Sequence, residues 1–194
     1  IKEAAELGNV EAIYALAIHL SPEIGPDFNA IDHDVEQLQC FISVLKIAVE
    51  FGSAKAAFLL GQLFLLGYIV EKNYVMCLVY MKFAADNKLP YAMLTYANKL
   101  RIIANEQMTK NELKKSKKKA IKLLNDLSDY GTRSNKLRKT ATRVFTTIES
   151  TNLAHFVSSV YYNKVIESKE STKNQKKEAQ SKLNKLMEKS KVYD

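Results

Sequence analysis

Residues 60–85, LGQLFLLGYIVEKNYVMCLVYMKFAA, carry the clearest signal of secondary structure in the chain. Its first part places apolar residues on one helical stripe, and Gly67 ends that helix. A second apolar stripe follows and ends in Ala84 and Ala85. These two alanines, and Gly61 in the first helix, are small residues that allow two helix backbones to approach closely. The sequence therefore predicts a helix, a tight turn and a second helix packed on the first.

The same pattern recurs on both sides of this stretch. Helix endings are expected at 1–8, 46–52, 82–88 and 123–131. After each of the first three endings, a new helix has small or apolar residues at offsets 0, 4, 5 and 8, which lie on one helical face. The equivalent positions are Ala12, Leu16, Ala17 and Leu20, then Ala56, Leu60, Gly61 and Phe64, then Ala92, Tyr96, Ala97 and Leu100. A two-helix unit leaves apolar surface uncovered, so we expect repeated units to stack into a solenoid.

Residues 53–88 follow the pattern A-x-x-x-L-G-x-x-F, then G-x-x-V, then a second helix that ends in A-A. This unit resembles the Sel-one-like repeat, a relative of the tetratricopeptide repeat. The residues that carry the resemblance are Ala56, Leu60, Gly61, Phe64, Gly67, Val70, Tyr74, Ala84 and Ala85. The second glycine of the family's turn is absent, and Lys88 replaces the closing glycine. The resemblance extends over residues 1–131, where the units 9–52 and 89–131 are longer than the central one.

The resemblance implies an all-α fold, a right-handed α/α superhelix of stacked helix-turn-helix repeats with C-terminal capping helices. We expect residues 1–131 to form the repeat array and residues 132–194 to form a divergent helical cap packed on it. Within the cap, residues 134–149 predict a basic amphipathic helix, and Asn152 is expected to cap the next helix. The apolar stripe of that next helix is Leu153, Phe156, Val157, Val160, Tyr161 and Val165. The lysine-rich segment 171–191 has a thin apolar stripe of Ala179, Leu183, Leu186 and Met187. Such a stripe is typical of a terminal capping helix, and a helix that docks on a partner is the alternative.

The overall composition excludes several classes of protein. The chain has 194 residues, 47% hydrophobic and 26% charged, and no apolar run near the roughly 18 residues of a membrane span. Cys40 and Cys77 each lie within a helical stripe, so we expect two buried free thiols and no disulfide framework. The sequence begins at Ile1 inside a helical pattern, so we expect a fragment whose targeting segment, if any, lies outside it. A cytoplasmic or organelle-soluble location is favoured.

Charge is distributed unevenly along the chain. Residues 1–97 contain 6 basic and 11 acidic side chains, whereas residues 98–194 contain 23 and 10. In the basic half, the lysine run from Lys114 keeps apolar residues at helical spacing, so the lysines are expected on the outer face of a packed helix. The inward stripe predicted for this helix is Leu113, Ala120, Ile121, Leu124 and Leu127. The basic outer face is either simply solvated or a site for phosphates, acidic protein or anionic lipid. Its residues are Lys114, Lys115, Lys117, Lys118 and Lys119 with Arg138, Lys139 and Arg143.

A concave groove is the second candidate surface. In a tetratricopeptide-like array, the first helix of each unit lines the concave side. By register, the candidate partner-binding residues are Tyr14, Ile18, Phe58, Gln62, Met93 and Asn98. Apolar and amide side chains in such a row can bind a peptide or a helix by burying anchor residues. The same residues could instead pack against a neighbouring helix.

No catalytic or metal-binding constellation is present in the sequence. The three histidines share no short metal-ligand spacing, and no nucleophile, P-loop or dinucleotide motif occurs. The acidic insertion 21–35 surrounds His33, but its spacing differs from that of a calcium loop. We therefore expect no enzyme activity, no cofactor and no metal.

These observations favour a protein-protein interaction module that acts as an adaptor or scaffold. The expected partner is another protein, bound as a peptide or a helix through the groove, the basic face or both. An RNA- or anion-binding helical repeat is the alternative, although residues 98–143 offer few aromatics for base stacking. A third possibility is a subunit of a larger assembly, with the last helices buried against a neighbour.

Overall fold

The computed structural model describes residues 2–21, 35–67, 69–104, 109–126 and 134–190. Every regular element in these residues is an α-helix, which confirms the predicted all-α class. The helices are α1 (Lys2–Glu6), α2 (Val10–His19), α3 (Val35–Glu50), α4 (Ala54–Leu66), α5 (Tyr74–Asp86), α6 (Pro90–Ala104), α7 (Lys110–Asp126), α8 (Ser134–Ile148), α9 (Thr151–Glu167) and α10 (Lys173–Ser190).

Side-chain oxygens cap the N-termini of several of these helices. Asn9, Ser53, Asn73 and Ser150 each accept a hydrogen bond from the backbone N–H three residues later, at 3.0–3.3 Å. Such caps satisfy N–H groups that have no partner inside the helix. The prediction that Asn152 caps α9 is wrong, because Ser150 takes that position two residues earlier.

Residues in the left-handed backbone conformation follow the C-termini of the predicted helices. Gly8, Gly52 and Gly67 have φ values of 80°, 99° and 79°, a conformation that glycine adopts without a Cβ clash. Lys88 has a φ of 65° at the equivalent position after α5. The chain therefore keeps the left-handed turn there even though its glycine is missing.

Helix α5 lies at the centre of the fold. Every residue from Val75 to Ala85 is buried, and the helix lies against α4, α6, α7 and α8. Its contact with α4 is close at Gly61, where a Cβ would lie 3.0 Å from Met81 Cε and 3.3 Å from the carbonyl oxygen of Cys77. Glycine at this position lets the two helix backbones meet, as the sequence predicts.

The partner of α6 comes from far along the chain. The predicted unit 89–131 contains α6 and α7, but α6 lies mainly against α5 and α9, and α7 lies on α5. Ser158 in α9 donates a hydrogen bond of 3.1 Å to the carbonyl oxygen of Ala97, the position equivalent to Gly61. In the described residues α9 thus stands to α6 as α5 stands to α4. The predicted boundary at residue 131 stays a prediction.

Most, but not all, of the predicted apolar faces are buried. On α8 the inward residues Leu137, Ala141, Val144 and Ile148 are at most 8% exposed. Three predicted inward residues are instead open to solvent: Ile121 at 42%, Phe156 at 64% and Met187 at 55%. Cys77 is buried as predicted, but the prediction for Cys40 is wrong because its side chain is exposed on α3. The rotation of each helix about its own axis determines which part of a wide apolar stripe faces the neighbouring helix and is buried.

Candidate binding cleft on the basic helix

Helix α7 is held in place at its beginning and along one face. Thr109 and Glu112 form a capping box, in which each side chain accepts a hydrogen bond from the other residue's N–H. Further along, the Ser116 hydroxyl donates to Asn73 Oδ1 at 2.8 Å and accepts from the N–H of Val75 at 3.1 Å. Because these last two groups belong to the start of α5, they fix α7 on the central helix.

A cleft of about 860 Å³ opens beside α7, between this helix and the connection from α8 to α9. Its described lining residues are Thr109, Lys110, Leu113, Lys114, Lys117, Lys118, Ile121, Ile148, Glu149 and Thr151. The volume is in the range of pockets that bind ligands or the side chains of a partner.

The floor of this cleft is apolar. Ile148 is 5% exposed, Leu113 is half-buried and Ile121 is 42% exposed. Helical periodicity alone places Leu113 and Ile121 on the inward stripe of α7, and in the structure both line the cleft. Apolar surface in a concave site is what a partner can bury when it binds.

The rim of the cleft is basic. Lys110, Lys114 and Lys118 follow one another at four-residue intervals, and none of them forms an ion pair with a carboxylate in the described residues. Lys117 is different, because its Nζ pairs with Glu149 and lies 5.3 Å from the centre of the Phe145 ring. Three lysines therefore leave their charge available to a ligand.

The predicted basic face is not one surface. Lys115 and Lys119 lie on the other side of α7, beside a second cleft of about 460 Å³ that Ser116 also lines. Lys119 pairs with Glu71, and its hydrogen bond and charge hold the pKa of that carboxyl below its usual range. Lys114, Lys117 and Lys118 are the predicted basic residues that the structure brings together in the larger cleft.

The basic residues of α8 line neither cleft. Arg138 donates a hydrogen bond of 3.3 Å to the carbonyl oxygen of Leu124, which ties α8 to the end of α7. Lys139 and Arg143 are exposed on α8. These three residues are thus separate from the lysines of the larger cleft.

The predicted groove residues differ between the two ends of the groove. On α2 and α4, Ile18 is 43% exposed, Gln62 is exposed, and Tyr14 and Phe58 are half-buried. Ile18 and Gln62 are thus accessible to solvent, whereas Tyr14 and Phe58 pack against the core.

At the α6 end the groove positions make contacts inside the chain. Met93 is 6% exposed. The Asn98 side chain accepts from the Tyr162 hydroxyl at 2.8 Å and donates to Glu178 at 3.2 Å. At this predicted end of the groove, Asn98 is thus occupied by contacts with α9 and α10, and Met93 is buried.

A buried charged cluster escaped the sequence analysis. Lys82 is 8% exposed, and its Nζ donates to both oxygens of Asp86 at 3.0 and 3.1 Å and to the Tyr161 hydroxyl at 2.9 Å. The same Nζ lies 5.7 and 5.3 Å from the ring centres of Tyr96 and Tyr161. This cluster connects α5 to α6 and α9. A single lysine inside the otherwise apolar run of α5 is the sequence feature that could have revealed it.

Other chemically active groups are few in the described residues. No group of three or more histidine, cysteine, aspartate or glutamate side chains is arranged to hold a metal ion there. Burial raises the pKa of the Cys77 thiol to about 12, which keeps it protonated and unreactive. The acidic insertion around His33 lies outside the described residues. No described helix is both long and apolar enough to span a bilayer.

Comparison with known proteins adds no relative. No family model, no curated protein and no solved structure matches this chain.

Proposed function

We propose that this chain is a non-enzymatic protein-protein interaction module that serves as an adaptor or scaffold. The observation that carries the proposal is the larger cleft beside α7, with its apolar floor and its rim of lysines that lack an ion pair in the described residues. Protein interfaces combine an apolar centre that excludes water with a polar rim that orients the partner. The cleft has both parts.

The proposed architecture is a right-handed α/α superhelix of Sel-one-like repeats, closed by C-terminal capping helices. The helix pairs α2–α3, α4–α5 and α6–α9 and the small residues Gly61 and Ala97 support it. Helix α10 packs on α9 and presents a lysine-rich outer face, as a terminal helix must.

The composition of the cleft favours a protein partner over nucleic acid. Single-stranded nucleic acids are bound largely by stacking of bases on aromatic side chains. The described lining residues include no aromatic side chain and three aliphatic ones, Leu113, Ile121 and Ile148. Aliphatic side chains contribute little to binding a phosphate backbone. Apolar side chains of a protein partner, in contrast, can pack against them and be buried.

Photo-crosslinking in the source cells tests the proposal. A photo-reactive amino acid replaces Ile121, whose partial exposure makes the substitution compatible with folding. We expect a crosslinked protein that resists nuclease treatment. The crosslink should be lost when Lys114→Glu and Lys118→Glu are added, and it should persist with the matched pair Lys173→Glu and Lys177→Glu on α10.

Two results would refute this function. One is a crosslinked product that nuclease removes, because the cleft would then bind nucleic acid. The other is an adduct that is insensitive to Lys114→Glu and Lys118→Glu, because the basic rim would then take no part in binding.

A further inference from the structure

The spacing of the free lysines carries information about what binds in the cleft. Lys110, Lys114 and Lys118 follow one flank of α7 at four-residue intervals, so their Cα atoms are about 6 Å apart along the helix axis. Carboxylates placed every four residues on a second helix have the same spacing. A helix lying along α7 can therefore present one carboxylate to each lysine.

The apolar floor runs beside this row of lysines. Leu113 and Ile121 are two turns apart on α7, about 12 Å along the axis. Ile148 at the end of α8 closes the floor from the opposite side. A bound helix with apolar residues on the face adjacent to its carboxylates would fill this space while its charges meet the rim.

The walls of the cleft favour a helix over an extended peptide. Along α7, the lining residues Leu113, Lys114, Lys117, Lys118 and Ile121 lie inside a helix whose backbone groups bond to one another, and the rest of the wall is the short connection from α8 to α9. An extended peptide would find few backbone partners there, and unpaired backbone groups are costly to bury. A helix satisfies its own backbone and needs only side-chain contacts.

The depth of the floor argues against a lipid surface or a free phosphate. Ile148 is 5% exposed and Leu113 is half-buried, so both lie below the lysine rim. A flat bilayer meets the rim and the exposed part of Ile121 without reaching Leu113 and Ile148. A phosphate ion neutralises lysines but leaves the apolar floor exposed to water.

We propose that the cleft beside α7 binds an acidic amphipathic helix of a partner protein. The bound segment has Asp or Glu at positions i, i+4 and i+8 on one flank and apolar residues on the adjoining face. The inference rests on the proposed interaction function, and it specifies the chemistry of the partner at that site.

Two synthetic helical peptides of identical composition and net charge test this inference. The patterned peptide has glutamates at i, i+4 and i+8 beside a leucine face, and the shuffled peptide distributes the same residues around the helix. Fluorescence anisotropy with the full chain measures both affinities. We expect the patterned peptide to bind at least about tenfold more tightly, the ratio that corresponds to burying one additional apolar side chain.

Variants of the full chain assign the binding to the cleft. Lys114→Glu together with Lys118→Glu should weaken binding of the patterned peptide by about tenfold or more, because two attractions become repulsions. Ile121→Ser should weaken binding of the patterned peptide by a similar factor, because it removes apolar surface from the floor of the cleft. The control pair Lys173→Glu and Lys177→Glu has the same charge change on exposed residues of α10 and should leave binding unaltered. Circular dichroism verifies that each variant is folded.

The outcomes separate this inference from the proposed function. Equal binding of the two peptides, or tighter binding of anionic vesicles or inorganic phosphate than of the patterned peptide, overturns the inference. If neither peptide binds but the crosslinker at Ile121 still captures a protein through the lysine rim, the partner chemistry is wrong and the interaction function stands. If both experiments fail, both proposals are overturned.

Discussion

Replacing Asp86 with alanine is expected to destabilise the protein more than replacing its partner Lys82 with methionine. Counted over the side chain alone, Lys82 is 10% exposed and Asp86 is 30% exposed. Loss of Asp86 leaves an ammonium group inside the fold with only the Tyr161 hydroxyl and two ring faces as polar contacts. Loss of the ammonium leaves a carboxylate that still accepts from Tyr161 and reaches water.

The magnitudes follow from this asymmetry. Breaking a buried ion pair by removing one partner lowers the free energy of unfolding by about 3–5 kcal/mol. Because the Tyr161 hydroxyl and two rings still contact the Lys82 ammonium, we expect a smaller loss of about 2–3 kcal/mol for Asp86→Ala. Lys82→Met keeps most of the packing of the lysine stem, so we expect a loss below about 1 kcal/mol. For a chain of this size, the Asp86→Ala loss corresponds to a fall in Tm of roughly 4–12 °C.

Urea unfolding followed by circular dichroism at 222 nm measures these differences. The double variant Lys82→Met with Asp86→Ala should be nearly as stable as Lys82→Met alone, because no charge is then left buried. The exposed pair of Lys55 and Glu11 provides a control, and its removal should cause no measurable change. The reasoning is refuted if Lys82→Met destabilises the protein as much as Asp86→Ala does.

Four further predictions concern the reactivity of the thiols, the pH dependence of stability, the turn at Lys88 and the helix contact at Gly61. Ellman's reagent at pH 8 should modify Cys40 alone in the native protein and both thiols in urea, and two fast-reacting native thiols would contradict the burial of Cys77. Burial raises the pKa of Cys77 and of several tyrosines above the values in the unfolded chain. As the pH rises, the unfolded chain therefore loses these protons first, and the free energy of unfolding should decline above about pH 9. A free energy of unfolding that stays constant up to about pH 11 would argue against this. Lys88→Gly should stabilise the protein by about 0.5–1 kcal/mol in urea unfolding by relieving a left-handed non-glycine residue, and a loss of stability would be the contrary result. Gly61→Val should lower the free energy of unfolding by about 1–3 kcal/mol through the clash with Met81, and a neutral effect would show that the two helices are not in close contact.

The local structure of the chain was largely predictable from its sequence. The hairpin of α4 and α5 follows from apolar periodicity, from the turn at Gly67 and from the small residue at Gly61, which all act between residues close in sequence. The left-handed endings at Gly8 and Gly52 were predictable for the same reason.

The choice of helix partners was less predictable. Ala97 indicates that α6 meets another helix closely, but both α7 and α9 carry apolar stripes that could cover it. The sequence does not rank two such candidates, because the difference depends on the packing of whole helix faces. The structure pairs α6 mainly with α5 and α9.

The candidate cleft was predictable only in part. The lysine run was identified from charge alone, but periodicity assigned Ile121 to the buried stripe. Its exposure depends on where the connection between α8 and α9 lies relative to α7. The charged cluster at Lys82 was missed because its partner Tyr161 is distant in sequence.

The pairing of α6 with α9 has a consequence for biosynthesis. When the ribosome has made residue 104, α5 is available to pack on α6 but α9 has not yet been translated, and residues 105–167 must follow first. At about 5–20 residues per second, this delay lasts roughly 3–12 s. During that interval the nascent chain exposes the apolar surface of α6 that α9 later covers. The emerging polypeptide is therefore a natural client for ribosome-associated chaperones until α9 arrives.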